Sequence, residues 1–303
     1  MEDLTSPRVL REILSRYGLA PRKSLGQNFL IDANLRDKIV SAADPGPGEL
    51  VVEVGPGPGT LTAKLLETGA TVIAIEADRG LARILADRTA HEPNRMTVIV
   101  DDILRVDLGK SIAEAGLAER PCVAVANLPY YITTPAIFHL LETKLPWRGM
   151  VFLVQREVAD RIVAAPRHKD YGLLSVMTQY RAVPEIVTIL PPSVFWPQPK
   201  VQSALLRLTF PSRFHLEARV ETVLAGVARA AFGQRRKTLA NACRRWAEDH
   251  GLRDAFMDVC RQAGIEPGCR GEDLAVGDFV RLAAAIADRL EVRSPESGSI
   301  QKG

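Results

Sequence analysis

Cysteine is scarce in this 303-residue chain: there are four, Cys122, Cys243, Cys260 and Cys269, with no C-x-x-C pair among them. The five histidines form no cluster beside them. Such spacing provides neither a disulfide framework nor a structural zinc site, so no metal is expected. Long apolar runs are missing too. No stretch approaches the roughly 20 residues of a membrane span, and Met1 to Arg11 has no apolar signal core. The expectation is a cytoplasmic protein that does not engage a membrane. Charge of one sign is also in short supply, since 39 Lys and Arg against 36 Asp and Glu leave a formal net charge of +3. An anionic partner is allowed but not demanded, and the placement of the basic residues matters more than their total.

What is present is an ordinary globular composition, 47% hydrophobic and 25% charged, at a length that suggests about two domains with a full core. Pro7 to Tyr17 reads as a short basic helix closed by Gly18. A polar, glycine-containing segment follows from Arg22 to Leu30, ahead of a helix carrying Leu35, Ile39 and Val40. Within that segment Gln27 and Asn28 are side-chain donors and acceptors on a loop, where ligands are often gripped. As isolated residues they read first as helix-entry residues.

Leu50 to Val54 is a strand that runs into Gly55-Pro56-Gly57-Pro58-Gly59; a helix from Thr60 and a strand Thr71 to Ile75 ending in Glu76 complete a βαβ unit. Glycines in that turn let the backbone approach a ligand, and a carboxylate about 20 residues on can accept both hydroxyls of a ribose. A nucleoside ligand follows. The spacing is G-x-G-x-G, and Pro56 and Pro58 remove two N–H donors that a pyrophosphate would want. A nucleoside without phosphates, such as S-adenosylmethionine, fits better than a dinucleotide. Glu53 could then position its methionine end. Strand Met96 to Val100 ends in Asp101-Asp102, either of which could meet the adenine amine, the other being a cap.

Strand Val123 to Ala126 opens onto Asn127-Leu128-Pro129-Tyr130. A carboxamide, a carbonyl before proline and an aromatic ring suit a planar base that bears an exocyclic amine: the amine donates to Asn127 and to the Leu128 carbonyl, and Tyr130 lies against the ring. Four letters alone are also an ordinary turn after a strand. The order is more telling, because Gly55, Glu76, Asp102 and Asn127 end four successive strands, where open parallel sheets bind ligands.

Gly149 to Val154, Glu185 to Leu190 and Ala204 to Phe210 complete seven strands, the last two an antiparallel pair. The charged loop Ala165 to Tyr171 is mobile or touches phosphate, with a merely solvated loop as the equal alternative. Helical spacing then takes over, with Leu216, Val220, Val223, Leu224 and Val227 as core. In a helix from Thr238, Leu239, Ala242, Cys243 and Trp246 share one face and Lys237, Asn241, Arg244 and Arg245 another. Together with Arg235 and Arg236 this is a basic patch suited to RNA backbone, although basic faces are often merely solvated.

These segments, taken together, resemble the KsgA/RsmA ribosomal RNA adenine dimethyltransferases, relatives of the erythromycin-resistance methyltransferases and of mitochondrial transcription factor B. The resemblance runs from about Lys23 to Leu282. It rests on Lys23 to Leu30, Glu53 to Gly57, Asn127 to Tyr131, Gln155 to Ala159, Tyr171 to Ser175, Phe195 to Val201 and Arg235 to Leu239. The chain departs from the pattern at Gly271, where the family usually has a bulkier residue, which bears on the local geometry of that domain's end.

The implied fold class is α/β, a Rossmann-like methyltransferase with a seven-stranded mostly parallel sheet plus a small C-terminal all-α domain. Its expected divisions are a methyltransferase domain over 1–212, a helical RNA-binding domain over 213–290 and a disordered tail over 291–303. The implied activity is S-adenosyl-L-methionine-dependent N6,N6-dimethylation of two adjacent adenosines near the 3′ end of small-subunit ribosomal RNA, by a monomer. Gln27, Asn28, Leu30, Glu53, Gly55, Gly57, Glu76, Asp101, Asp102 and Asn127 would meet the cofactor. Asn127, Leu128, Pro129, Tyr130 and Phe195 would hold the target base, with Tyr130 and Phe195 on either side of it. Arg22, Lys23, Arg235, Arg236, Lys237, Arg244 and Arg245 would contact RNA. Three rival readings stand beside this one: a dinucleotide oxidoreductase, a non-catalytic RNA-binding or assembly factor, and a resistance-type enzyme acting on large-subunit RNA.

Overall fold

A computed structural model of the chain describes residues 2–22, 25–210 and 216–292. They form two compact units: residues up to Asp160 together with Ala182–Phe210, and Arg161–Arg181 together with the described residues beyond Phe210.

The first unit is built on strands β1 (Phe29–Leu30), β2 (Leu50–Val54), β3 (Thr71–Ile75), β4 (Met96–Ile99), β5 (Cys122–Asn127), β6 (Trp147–Gln155), β7 (Val183–Leu190), β8 (Phe195–Trp196) and β9 (Ser203–Thr209). Seven of them make one sheet in the order β4-β3-β2-β5-β6-β9-β7. The pairs from β4 to β6 are parallel and the two pairs made by β9 are antiparallel. Continuous apolar sequence explains the central strands. β2 and β5 are buried almost throughout, as a parallel sheet covered on both faces requires. On one face Val51, Val123, Val125, Val151 and Leu153 pack with Leu35, Ile39 and Val40 of the helix Ala33–Ala43 and with Leu61, Leu65 and Leu66 of the helix Thr60–Glu67. Asp32 caps the first of these helices by accepting from the Leu35 N–H at 2.8 Å.

Two further strands were not visible in the sequence pattern. β1 and β8 pair antiparallel, Leu30 opposite Phe195 and Phe29 opposite Trp196. The pairing buries the Phe195 ring in the sheet core and leaves Trp196 beneath the Arg11 guanidinium, 5.3 Å from its ring centre.

The described residues of the second unit are helical apart from their connections. Its longest helices are Ala218–Gly233 and Val276–Val292. Val220, Val223, Leu224 and Val227 are buried, as their spacing predicts. The sequence boundary at residue 212 differs from the compact units, because Arg161–Arg181 packs with the helices. The reason is specific bonding: Tyr171 is 1% exposed and its hydroxyl donates to the Leu274 carbonyl at 2.9 Å, while its ring meets Phe232 edge-on at 5.7 Å. The charged loop is tied down too, since the Arg167 N–H donates to the Glu272 carbonyl at 2.8 Å. The helix expected from Thr238 is two short ones, Leu239–Ala242 and Arg244–Asp249, meeting at Cys243. A Cβ at Gly271 would lie 3.0 Å from the Ala231 side chain, so this residue's smallness lets its turn press against the helix Ala218–Gly233. Of the expected tail, residues 293–303 lie outside the described residues.

Removing the Tyr171 hydroxyl leaves a buried carbonyl without its donor. Tyr171→Phe should therefore cost about 1–3 kcal/mol; an unchanged denaturation midpoint for the full chain would contradict this placement.

Candidate active site

The carboxyl ends of β2, β3, β4 and β5 converge on one cleft, entirely within the first unit. Every residue expected to meet the cofactor lines it: Gln27, Asn28, Leu30, Glu53, Gly55, Gly57, Glu76, Asp101, Asp102 and Asn127. Leu128, Pro129 and Tyr130 line it as well. Phe195 does not. At 1% exposure it packs within the core cluster, so of the two expected stacking residues Tyr130 alone lines the cleft.

The glycine turn is shaped by its backbone. Gly55, Gly57 and Gly59 have φ of 65°, 59° and 98°, a region other residues adopt only with strain. A Cβ at Gly57 would also sit 3.2 Å from the Phe29 ring. The N–H groups are already committed: Gly55 donates to the Ile75 carbonyl at 2.9 Å, Gly57 to Glu76 Oε2 at 3.0 Å and Gly59 to the Pro56 carbonyl at 3.1 Å. With Pro56 and Pro58 lacking N–H altogether, the turn has no donor to spare for a pyrophosphate. This speaks against a dinucleotide.

Glu76 is 7% exposed, and each of its oxygens accepts one backbone N–H, from Gly57 at 3.0 Å and Asp78 at 2.9 Å. Burial nevertheless raises its pKa. Each carboxylate oxygen has a second lone pair, so the oriented group can still accept a pair of ribose hydroxyls. Asp101 and Asp102 begin the turn after β4: Asp101 Oδ1 accepts from the Asp102 N–H at 2.7 Å, and Asp102 Oδ1 from the Leu104 N–H at 3.0 Å. Ile103 between them and Leu104 is 3% exposed and adds an apolar wall.

The Asn127 amide is oriented by a single bond. Its Nδ2 donates to the Asn28 carbonyl at 2.8 Å. A carbonyl can only accept, so the amide nitrogen must face Asn28 and Oδ1 is left as the acceptor turned elsewhere. The next residues are pinned in turn: the Pro129 carbonyl accepts from the Ile132 N–H and from Thr133 Oγ1, both at 3.1 Å. Tyr130 Oη lies 2.7 Å from Ser203 Oγ on β9.

Sequence reasoning passed over Asp78. It caps the helix Arg79–Thr89 through the Gly80 and Leu81 N–H groups, accepts from Gln27 Nε2 at 3.3 Å and pairs with Arg22 at 3.3 Å. An aspartate just before a helical pattern was the available signal. Arg22 thus has a partner at the cleft, and Lys23 lies outside the described residues. Arg235, Arg236, Lys237, Arg244 and Arg245 are exposed in the second unit; Arg235 pairs with Glu272 at 2.7 Å and Arg244 donates to Asn241 at 2.8 Å. Among the described residues no cluster of three or more His, Cys, Asp or Glu could hold a metal, and no helix is long and apolar enough to cross a membrane.

A glycine turn without a phosphate donor, a carboxylate at the end of the second strand of its βαβ unit and a carboxamide poised as an acceptor define an S-adenosylmethionine-dependent methyltransferase. The particular family follows from comparison. The family model described as ribosomal RNA adenine dimethylase matches residues 18–288, and the chain belongs to that family. It is 43% identical over 290 residues to "Ribosomal RNA small subunit methyltransferase A" of Pelotomaculum thermopropionicum, covering 94% of this chain and 98% of that one. The protein of the same name from Geobacillus thermodenitrificans is 43% identical over 286 residues, covering 94% and 97%. Among solved structures, a dimethyladenosine transferase from Plasmodium falciparum has a TM-score of 0.71 at 24% identity, covering 84% of this chain and 95% of that one. The 23S rRNA methyltransferase ErmE has a TM-score of 0.63 at 25% identity, covering 85% and 99%.

One group in the cleft has a pH signature. Glu53 is fully buried and its pKa is pushed up by desolvation, from 4.5 to about 8. The unfolded chain releases this proton near 4.5 while the folded chain keeps it to about 8, so the contribution falls as pH rises through that window. The loss is at most about 5 kcal/mol at 1.36 kcal/mol per unit. The thermal midpoint of the ligand-free protein should drop between pH 5 and 8, and Glu53→Gln should flatten that drop; equal slopes for the two proteins would contradict it.

Proposed function

We propose that this chain dimethylates N6 of two adjacent adenosines near the 3′ end of small-subunit ribosomal RNA, as a step in ribosome assembly in the cytoplasm. The observation that carries the chemistry is the fixed Asn127 amide, whose Nδ2 is tethered to the Asn28 carbonyl at 2.8 Å. The choice of subunit is supported by relatives at 40–43% identity that are named for the small subunit.

The cleft suits the cofactor: Glu76 offers two oriented oxygens to a ribose, Asp102 and Ile103 stand where an adenine fits, and Glu53 has an unpartnered oxygen for the amino-acid end. When bound, S-adenosylmethionine supplies a sulfonium methyl that is already electrophilic. The protein's task is then to make a poor nucleophile available. An adenine amine has its lone pair delocalised into the ring. Asn127 Oδ1 and the Leu128 carbonyl, both neutral acceptors, take its two N–H bonds and turn the lone pair out of conjugation. No base is needed beforehand, because the nitrogen becomes acidic only as the new bond forms, and its proton then passes to water. Tyr130, held by Ser203, provides a face for the base, offsetting the cost of leaving its stack. The exposed Arg235, Arg236, Lys237, Arg244 and Arg245 of the second unit grip phosphates, which position the RNA rather than specify it.

Asn127→Ala should slow methylation on the order of a hundredfold or more while RNA affinity stays close to normal; near-normal turnover would remove Asn127 from catalysis. Replacing Arg244 and Arg245 together should weaken subunit binding and flatten its salt dependence by up to about one unit per lost phosphate contact, with saturated turnover preserved. An unchanged salt slope would show that they are merely solvated. The reading as a whole is tested by offering the protein labelled S-adenosylmethionine with under-methylated small subunits and, separately, naked large-subunit RNA. Dimethyladenosine in the small-subunit RNA is expected. Label only in the large-subunit RNA would instead make this a resistance-type enzyme.

A further inference from the structure

Glu53 is the least comfortable group in the first unit. It lies on β2 between Ala74 of β3 and Val125 of β5, on the face covered by the helix Thr60–Glu67. One oxygen, Oε2, accepts from Thr62 Oγ1 at 2.6 Å. The other, Oε1, is buried with no hydrogen-bond partner, although the residue lines the cleft. A buried carboxylate with an empty lone-pair set costs far more than a neutral acid, unless a cation comes to meet it.

Among the described residues the surroundings supply no such cation. Thr62 is the polar group from the covering helix, and the sheet neighbours Ala74 and Val125 are apolar. The charged group that acts on Glu53 is Glu76, from β3, and it is of like sign. Asp78, Asp101 and Asp102 add three more carboxyls to the lining, and Arg22 is spent on Asp78. We propose that Glu53 is the displaceable-proton site of the cofactor cleft: it stands protonated while the cleft is empty and yields its proton as it becomes the counter-ion of a ligand's ammonium group. The proposal rests on the reading of this cleft as the cofactor site.

The balance is simple. The acid O–H bond breaks, the proton goes to buffer, and the carboxylate formed pairs with an ammonium that enters already charged. No oxidant or further reactant is involved. Burial holds the free acid together up to about pH 8, so at neutral pH the exchange is close to one proton per ligand. Affinity for a ligand with an ammonium should then rise with pH, by up to about tenfold per unit between pH 5.5 and 7.5.

The test is titration calorimetry of the full chain at pH 7 in two buffers of different ionisation enthalpy. The ligands are S-adenosylmethionine and 5′-methylthioadenosine, which keeps the nucleoside but has no ammonium. Expected are release of about one proton with S-adenosylmethionine, none with 5′-methylthioadenosine, and none with either ligand in Glu53→Gln, a neutral stand-in for the protonated acid. Binding of S-adenosylmethionine with no buffer dependence would overturn the proposal and leave the cofactor reading intact. Equal release in Glu53→Gln, or equal release with 5′-methylthioadenosine, would assign the proton to another group. No binding of either nucleoside at any pH would overturn the cofactor reading and this proposal together. Should Glu53→Gln fail to fold, the two-ligand comparison on the unaltered protein still decides.

Discussion

The site depends on one hydrogen bond, from Asn127 Nδ2 to the Asn28 carbonyl, which joins residues 99 apart in sequence. It brings the segment before β1 across the end of β5 and, by occupying the amide's donor end, leaves its oxygen to act as an acceptor. Both consequences come from a single contact at 2.8 Å. The flanking structure keeps it in register: β5 lies parallel to β2 and β6, and β1 is fastened to β8. Gln27 adds a second tie, to Asp78 on the far side of the cleft.

Around that neutral pair of acceptors the cleft is acidic. Glu53, Glu76, Asp78, Asp101 and Asp102 all line it, and burial lifts the first two towards the protonated form. Such a lining favours a ligand with positive charge and repels phosphate, as the committed glycine N–H groups also do. Arg235, Arg236, Lys237, Arg244 and Arg245 are exposed basic residues of the second unit.

The parallel strands were legible because a sheet covered on both faces writes itself as apolar runs, and the residue after each run then falls at the ligand edge. Gly55, Glu76, Asp102 and Asn127 were found that way. The burial of Phe195 was hidden for the opposite reason. It sits in a two-residue strand, too short to carry a period, and its pairing with Leu30 turns the ring into the core. Asp78 was hidden behind its role as a helix cap. The affiliation of Arg161–Arg181 with the helices depends on long-range bonds such as Tyr171 to Leu274, which no local pattern announces. The break at Cys243 was equally silent, since its apolar spacing continues across both short helices.

The most direct test of the account is a crystal structure of the protein with S-adenosylhomocysteine and a short adenosine-containing RNA. The adenine amine should lie about 2.7–3.2 Å from both Asn127 Oδ1 and the Leu128 carbonyl, with Asn127 Nδ2 still on Asn28. An amine held by another group, with the Asn127 amide rotated away from Asn28, would contradict it.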